Sequence, residues 1–145
     1  KIRFDFADAV LTSKLIDGTF PDYVRVIPAN NDRLLEVDAR LFAEAIDRVS
    51  TISSEKSRAV KLIIDTDKVT LAVNSPDSGS ATEELAAGYS SEAMEIGFNA
   101  RYVLDIMGQV EGDTVRVSFA DAAAPTLVQD GGDESALYVL MPMRV

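Results

Sequence analysis

The sequence predicts an α+β fold: two βαβββ repeats, with two helices packed side by side on sheets made mainly of antiparallel hairpins. Three observations predict it. Apolar residues alternate with period two in short runs, but fall at helical spacing in two segments, Ala39–Ser50 and the one opening at Ala100. Each helical segment begins after a capping side chain, Asp38 or Asn99, with Ala-Arg directly behind it. The order of elements then recurs, so that residues 33–90 and 93–145 read as two copies of strand-helix-strand-strand-strand.

Taken in order, residues 1–6 and about 9–15 alternate apolar and polar and read as two strands. Asp17-Gly18 marks a turn, and the aromatic, proline-bounded connector Phe20–Pro28 and a polar loop at 29–32 follow. A domain boundary is expected near 21–32, because the first twenty residues are too few for a domain. Leu34–Val37 is a short strand, and Leu41, Phe42, Ala45, Ile46 and Val49 give the first helix one apolar face. Thr51–Arg58 is a polar loop. Val60–Asp65 and Val69–Val73 are strands around the turn Thr66–Lys68, and Asn74–Ser80 reads as a loop before the strand-like Ala81–Ala87. In the second copy Met94–Phe98 is a strand, and Val103, Leu104, Met107 and Val110 repeat the helical face. Val115–Phe119, Thr126–Val128 and Ala136–Met141 supply the remaining strands, with Asp130–Asp133 as a hairpin turn.

Composition narrows the chemistry. The chain has 145 residues, 47% hydrophobic and 26% charged, enough for one domain or slightly more with a real core. No apolar run approaches the length that spans a bilayer, so no membrane partner is expected, and the absence of Cys makes a cytoplasmic location the natural inference. The opening at Lys1, directly in a strand pattern, suggests a piece of something longer. Cys and His are absent, which excludes disulfides, thiol chemistry, Cys/His zinc sites and imidazole bases. The net charge of −10 argues against a general basic field for nucleic acid, but leaves room for a local basic strip.

Neither a dinucleotide nor a Walker-type glycine loop is present, so no cofactor is expected. Asp22, Asp65, Asp67 and Asp113 read as turn or cap residues rather than catalysts. Oxygen ligands from Asp130, Asp133 and Glu134 would suit Mg or Ca, but the same stretch is better explained as a turn. Ser and Thr have no His partner, which leaves a hydrolase built on surface carboxylates as the weakest class.

The C-terminal run Leu137–Val145 reads two ways. It begins as a strand, and Pro142 then removes a backbone donor. Met141, Met143 and Arg144 around it are either a frayed tail or an adaptable, sticky surface for another chain's apolar anchors.

The chain resembles the C-terminal part of the bacterial DNA polymerase III β subunit, the replication sliding clamp. The motifs that carry the resemblance are Thr12–Leu15, Phe20-Pro21-Asp22-Tyr23, Ser54-Glu55-Lys56, Met94–Asn99 with Tyr102–Asp105, and Tyr138–Arg144, from the first hairpin to the last residues. It implies a non-catalytic sliding-clamp domain: residues 1–24 would end the middle domain and form the connector, and 25–145 would be the complete third domain. Such a protein encircles duplex DNA as a head-to-tail ring dimer and tethers polymerases by topology. It also implies a pocket for short linear peptides of DNA polymerases, the clamp loader and repair proteins. The matching positions are Pro21, Arg25, Val26, Asn99, Tyr102, Pro125, Val139, Leu140, Met141, Pro142, Met143 and Arg144. DNA-facing positions would be Arg40, Arg48, Lys56, Arg58, Lys61 and Arg101. The ring seam would use Thr51, Ile52, Asp77, Glu83 and Glu84. Lacking the first domain, this chain alone is expected to be a monomer. The alternative is a stand-alone peptide-binding module that keeps the fold without the ring.

Overall fold

A computed structural model of the chain describes residues 1–53 and 58–145. A hairpin, β1 (Ile2–Asp5) and β2 (Val10–Ser13), comes first, and a single 3-10 turn at Tyr23–Arg25 follows in the connector. The first repeat is β3 (Arg33–Asp38), α1 (Ala39–Ser50), β4 (Ala59–Asp65), β5 (Lys68–Ser75) and β6 (Gly79–Ala86). The second is β7 (Met94–Asn99), α2 (Ala100–Met107), β8 (Thr114–Phe119), β9 (Thr126–Asp130) and β10 (Tyr138–Leu140).

Both helices start where their caps predict. The Asp38 carboxylate accepts from the Leu41 N–H at 2.8 Å, and the Asn99 side-chain oxygen accepts from the Arg101 N–H at 3.0 Å. On α1, the residues Ala39, Phe42, Ala45, Ile46 and Val49 are buried; α2 buries Ala100, Val103 and Met107. The helix ends sooner than the apolar spacing suggested, with Gly108 as its C-cap, so Val110 lies beyond it. The expected loop 74–80 is mostly strand: β5 and β6 pair to Ser75 and Gly79, which leaves only a tight turn. The last strand is shorter than 136–141, because Ala136 and Leu137 lie outside the pairing with β9.

The two repeats exchange their first strands. One antiparallel sheet has the order β6-β5-β4-β7, the other β10-β9-β8-β3, so β7 closes the first repeat's sheet and β3 the second's. Between the sheets and the paired helices lies one core, with Leu35, Ile46, Leu62, Ile64, Leu71, Ile96, Phe98 and Phe119 almost fully buried. Strand alternation sets which residues reach it: on β4, Val60, Leu62 and Ile64 are buried while Lys61 and Ile63 are only half-buried.

Two matching crossings join the sheets. The backbones of Glu36 and Gly88 exchange bonds at 2.9 and 2.7 Å where the chain leaves β6 and meets β3. Where it leaves β10, the Met143 N–H donates to the Gly97 carbonyl on β7 at 2.9 Å. Residues 1–26 are exposed throughout, including both faces of the first hairpin and the aromatic Phe20 and Tyr23.

Candidate functional site

The C-terminal residues do not fray. After β10 they cross to the outer face of β7, and Pro142, Met143, Arg144 and Val145 form a shallow cleft of about 300 Å³ with Lys61, Glu95, Ile96, Gly97, Ala122 and Ala123. Met143 is fixed there by its bond to Gly97, and Lys61 Nζ pairs with Glu95 at 3.0 Å along the cleft. Met141 is 60% exposed at the crossing and Val139 is half-buried. Leu140 has the opposite orientation: it is 8% exposed and lines a core cavity with Phe42, Phe98 and Val128. Alternation along β10 turns its side chain to the opposite face from Val139.

Asn99 spends its side-chain oxygen on capping α2, while Tyr102, in the first turn of that helix, is 56% exposed. Pro125 is tied to the connector's exit. The Asn31 amide donates to the carbonyls of Ser118 at 2.8 Å and Pro125 at 2.9 Å, which anchors the start of β3 against the β8–β9 connection. Sequence reasoning treated Asn31 only as loop; its side chain gave no local sign of a partner 94 residues away. Pro21, Arg25 and Val26 all lie in the exposed connector, and Arg25 pairs with Asp22 at 3.0 Å.

The basic candidates do not form one surface. Arg40 pairs with Glu44 at 2.8 Å on the exposed side of α1. Arg48 pairs with Glu83 through two hydrogen bonds, one of them Nε to Oε2 at 3.1 Å. That pairing raises the Arg48 pKa and holds the Glu83 carboxyl below its ordinary range, chiefly through the side-chain hydrogen bond. Arg58 and Arg101 line a cleft of about 410 Å³ with Ser50, Ser53, Leu104 and Asp105, between the end of α1 and the start of α2. Arg58 has a φ of +42°, and its carbonyl accepts from the first N–H of α2 at 2.8 Å. Lys61 lies on the sheet face opposite the helices, so it is separated from Arg40, Arg48 and Arg101. Lys56 lies outside the described residues.

Three of the seam candidates, Asp77, Glu83 and Glu84, lie on or beside one edge strand. β6 is the terminal strand of its sheet, with no partner strand on its outer side among the described residues. Glu83 faces α1, and Glu84, one residue on, faces the other side and pairs with Lys68 at 3.2 Å. Asp77 lies in the β5–β6 turn. Thr51 is exposed, with its hydroxyl donating to the Asp47 carbonyl at 3.1 Å, and Ile52 is half-buried against the core.

Carboxylates share two surface clefts, and Glu36, Asp38, Asp67 and Asp113 border the wider, more open one. Glu111, Asp130 and Asp133 share the other with Tyr138. Asp130 accepts backbone N–H bonds from Gly132, Gly112 and Glu111, and Asp133 accepts from Ser135. These bonds hold both carboxyls below the usual range. A general acid needs the opposite shift. Among the described residues no three His, Cys, Asp or Glu side chains are placed to hold a metal ion.

Against known proteins, the family described as DNA polymerase III beta subunit, C-terminal domain, matches residues 24–144. The beta sliding clamp of Caulobacter vibrioides is 54% identical over 145 residues, covering 100% of this chain and 39% of the relative. The beta sliding clamp of Escherichia coli K12 is 40% identical over 144 residues, 99% of this chain and 39% of the relative. The solved structure of a Bartonella birtlesii sliding clamp bound to griselimycin is 56% identical, with a TM-score of 0.93 over 99% of this chain and 38% of that one. The chain thus spans 39% of the length of these curated relatives.

Proposed function

This chain belongs to the DNA polymerase III beta subunit family of sliding clamps, and we propose from that premise that it is the client-binding third domain of a DNA-encircling ring. The observation that carries the reading is the match across the chain to relatives named beta sliding clamps. Residues 1–24 end a preceding middle domain, a reading supported by the exposed apolar residues on both faces of the β1–β2 hairpin. Residues 25–145 form the third domain. The protein catalyses nothing and works in the cytoplasm, holding replicative and repair polymerases on duplex DNA.

The helices turn their exposed sides to DNA. Arg40, Arg48, Arg58 and Arg101 supply the positive charge, and internal pairing of Arg40 and Arg48 keeps that charge modest. Weak phosphate contacts suit sliding, since strong counterion release would pin the ring. The free edge of β6, with Thr51 and Ile52 beside it, joins the first domain of a second subunit. Short peptides of polymerases, clamp loader and repair proteins insert between the connector (Pro21, Arg25, Val26) and the wall made by Tyr102, Pro125, Val139 and Met141–Arg144. The connector closes the pocket from the middle-domain side.

The test is a titration with a Gln-Leu-x-Leu-Phe peptide, using the protein with its preceding domain present. Saturable shifts of the Tyr102 and Met143 signals are the expected result. No shift at either residue would remove the pocket from the reading.

A further inference from the structure

Gly97 is the one glycine in the interior of a strand that the last residues of the chain lie across. An added Cβ at this position would sit 2.6 Å from the Met143 carbonyl oxygen and 2.6 Å from Val145 Cγ2, with Val145 Cγ1 closer still. One of these neighbours is backbone, so a rotamer change does not relieve the clash. The matching crossing in the first repeat sets the comparison. There Glu36 occupies the fourth position of β3, as Gly97 does in β7, and the incoming residue is Gly88. A Cβ on Gly88 would meet Glu36 Cβ at 3.7 Å, an ordinary contact. The two crossings therefore differ in closeness: only the C-terminal one demands a glycine. Because the bare residue is on β7, the crossing chain keeps the Met143 side chain at the point of contact.

We infer that Gly97 is a positioning residue for the partner-peptide pocket: by letting the tail lie directly on β7, it fixes where Pro142, Met143 and Arg144 stand. This deepens the pocket reading above and rests on it. The tail follows the three-residue strand β10, and Met143 N–H to Gly97 carbonyl is its backbone anchor. Lifting the tail by the amount a methyl requires moves the wall against which a peptide packs, while the core beneath β7, made by Met94, Ile96 and Phe98, faces the other way.

The experiment compares the full-length protein with Gly97→Ala and Gly88→Ala, measuring affinity for a fluorescent Gln-Leu-x-Leu-Phe peptide and the melting temperature. Gly97→Ala is expected to weaken the peptide at least tenfold, and Gly88→Ala to stay within twofold. Unchanged affinity in Gly97→Ala overturns the inference, whereas a wild-type protein that binds no peptide overturns the pocket reading instead. A second comparison guards against simple unfolding: Gly97→Ala is also made in a protein truncated after Pro142. With the tail gone the three atoms nearest the methyl are removed, and the truncated pair is expected to melt together. If alanine destabilises the truncated protein as much as the intact one, the glycine serves the strand and not the tail, and the inference fails.

Discussion

Arg48 on α1 and Glu83 on β6, separated by 35 residues in sequence, form a two-pronged ion pair on the helix side of the sheet. A residue assigned to DNA and one assigned to the ring seam are thus partners of each other. The Glu83 carboxyl is held below its ordinary range by the hydrogen bond from Arg48, with partial desolvation opposing the shift. A depressed carboxyl contributes stability above its unfolded pKa and loses it as pH falls through the folded value. Glu83→Gln keeps an acceptor but no charge. Its melting temperature should lie slightly below wild type at neutral pH, the gap small because solvent screens the pair. The gap should close as pH drops below the ordinary carboxylate range. A gap that stays constant through that range would mean the pair contributes nothing that titrates.

Neighbouring residues of β10 and the tail should separate by phenotype. Leu140 is 8% exposed in the core, whereas Met141 is 60% exposed at the crossing. Leu140→Ala should lower stability by about 2–5 kcal/mol, the range for emptying a buried leucine site. Met141→Ala should leave stability within about 0.5 kcal/mol, as for a surface change, and weaken peptide binding severalfold. Denaturant titration and peptide anisotropy on the same two variants decide it. A Met141→Ala protein that binds normally would remove this residue from the pocket wall.

What the chain disclosed in advance was mostly local. Asp38 and Asn99 announced both helices because a cap acts within three residues of itself. The repeat announced the number and order of elements. It did not disclose the exchange of β3 and β7 between sheets, since strands of the same period carry no label for their partners. The resemblance set Lys61 in the strand next to the helix arginines; alternation along β4 puts its side chain on the sheet face opposite the helices. The burial of Leu140 was legible from the period-two rule in Tyr138-Val139-Leu140. Gly97 did carry a signal, an isolated glycine inside a strand, which marks a close backbone approach. Its partner, 46 positions later in the chain at Met143, was invisible without the fold.

Arg101 should matter more to DNA than Arg40. Arg40 is engaged by Glu44 at 2.8 Å, while Arg101 has no carboxylate ion-pair partner among the described residues and opens on the cleft it shares with Arg58. In the assembled ring, Arg101→Ala should lower the slope of log affinity against log salt by up to about 0.9 if one phosphate contact is lost. Arg40→Ala should change it less, because removing Arg40 also frees Glu44 and adds a negative charge to the same face. Equal slopes for both variants and wild type would show that this helix surface does not meet phosphate.

Thr126 should be better as valine. It is 0% exposed, its Oγ1 has no hydrogen-bond partner among the described residues, and it borders a cavity of about 20 Å³ lined otherwise by apolar side chains such as Phe98, Val103, Ile106 and Leu140. A water in that space would have the Thr126 hydroxyl as its only side-chain partner, short of the two to four that hold a buried water in place. The hydroxyl therefore bears its desolvation cost without a compensating bond. Thr126→Val keeps the shape and removes that cost, so stability should rise by about 1 kcal/mol. The urea midpoint should move up with an unchanged m-value. A fall in the midpoint would mean that the hydroxyl has a partner after all, and that the space beneath α2 is wet.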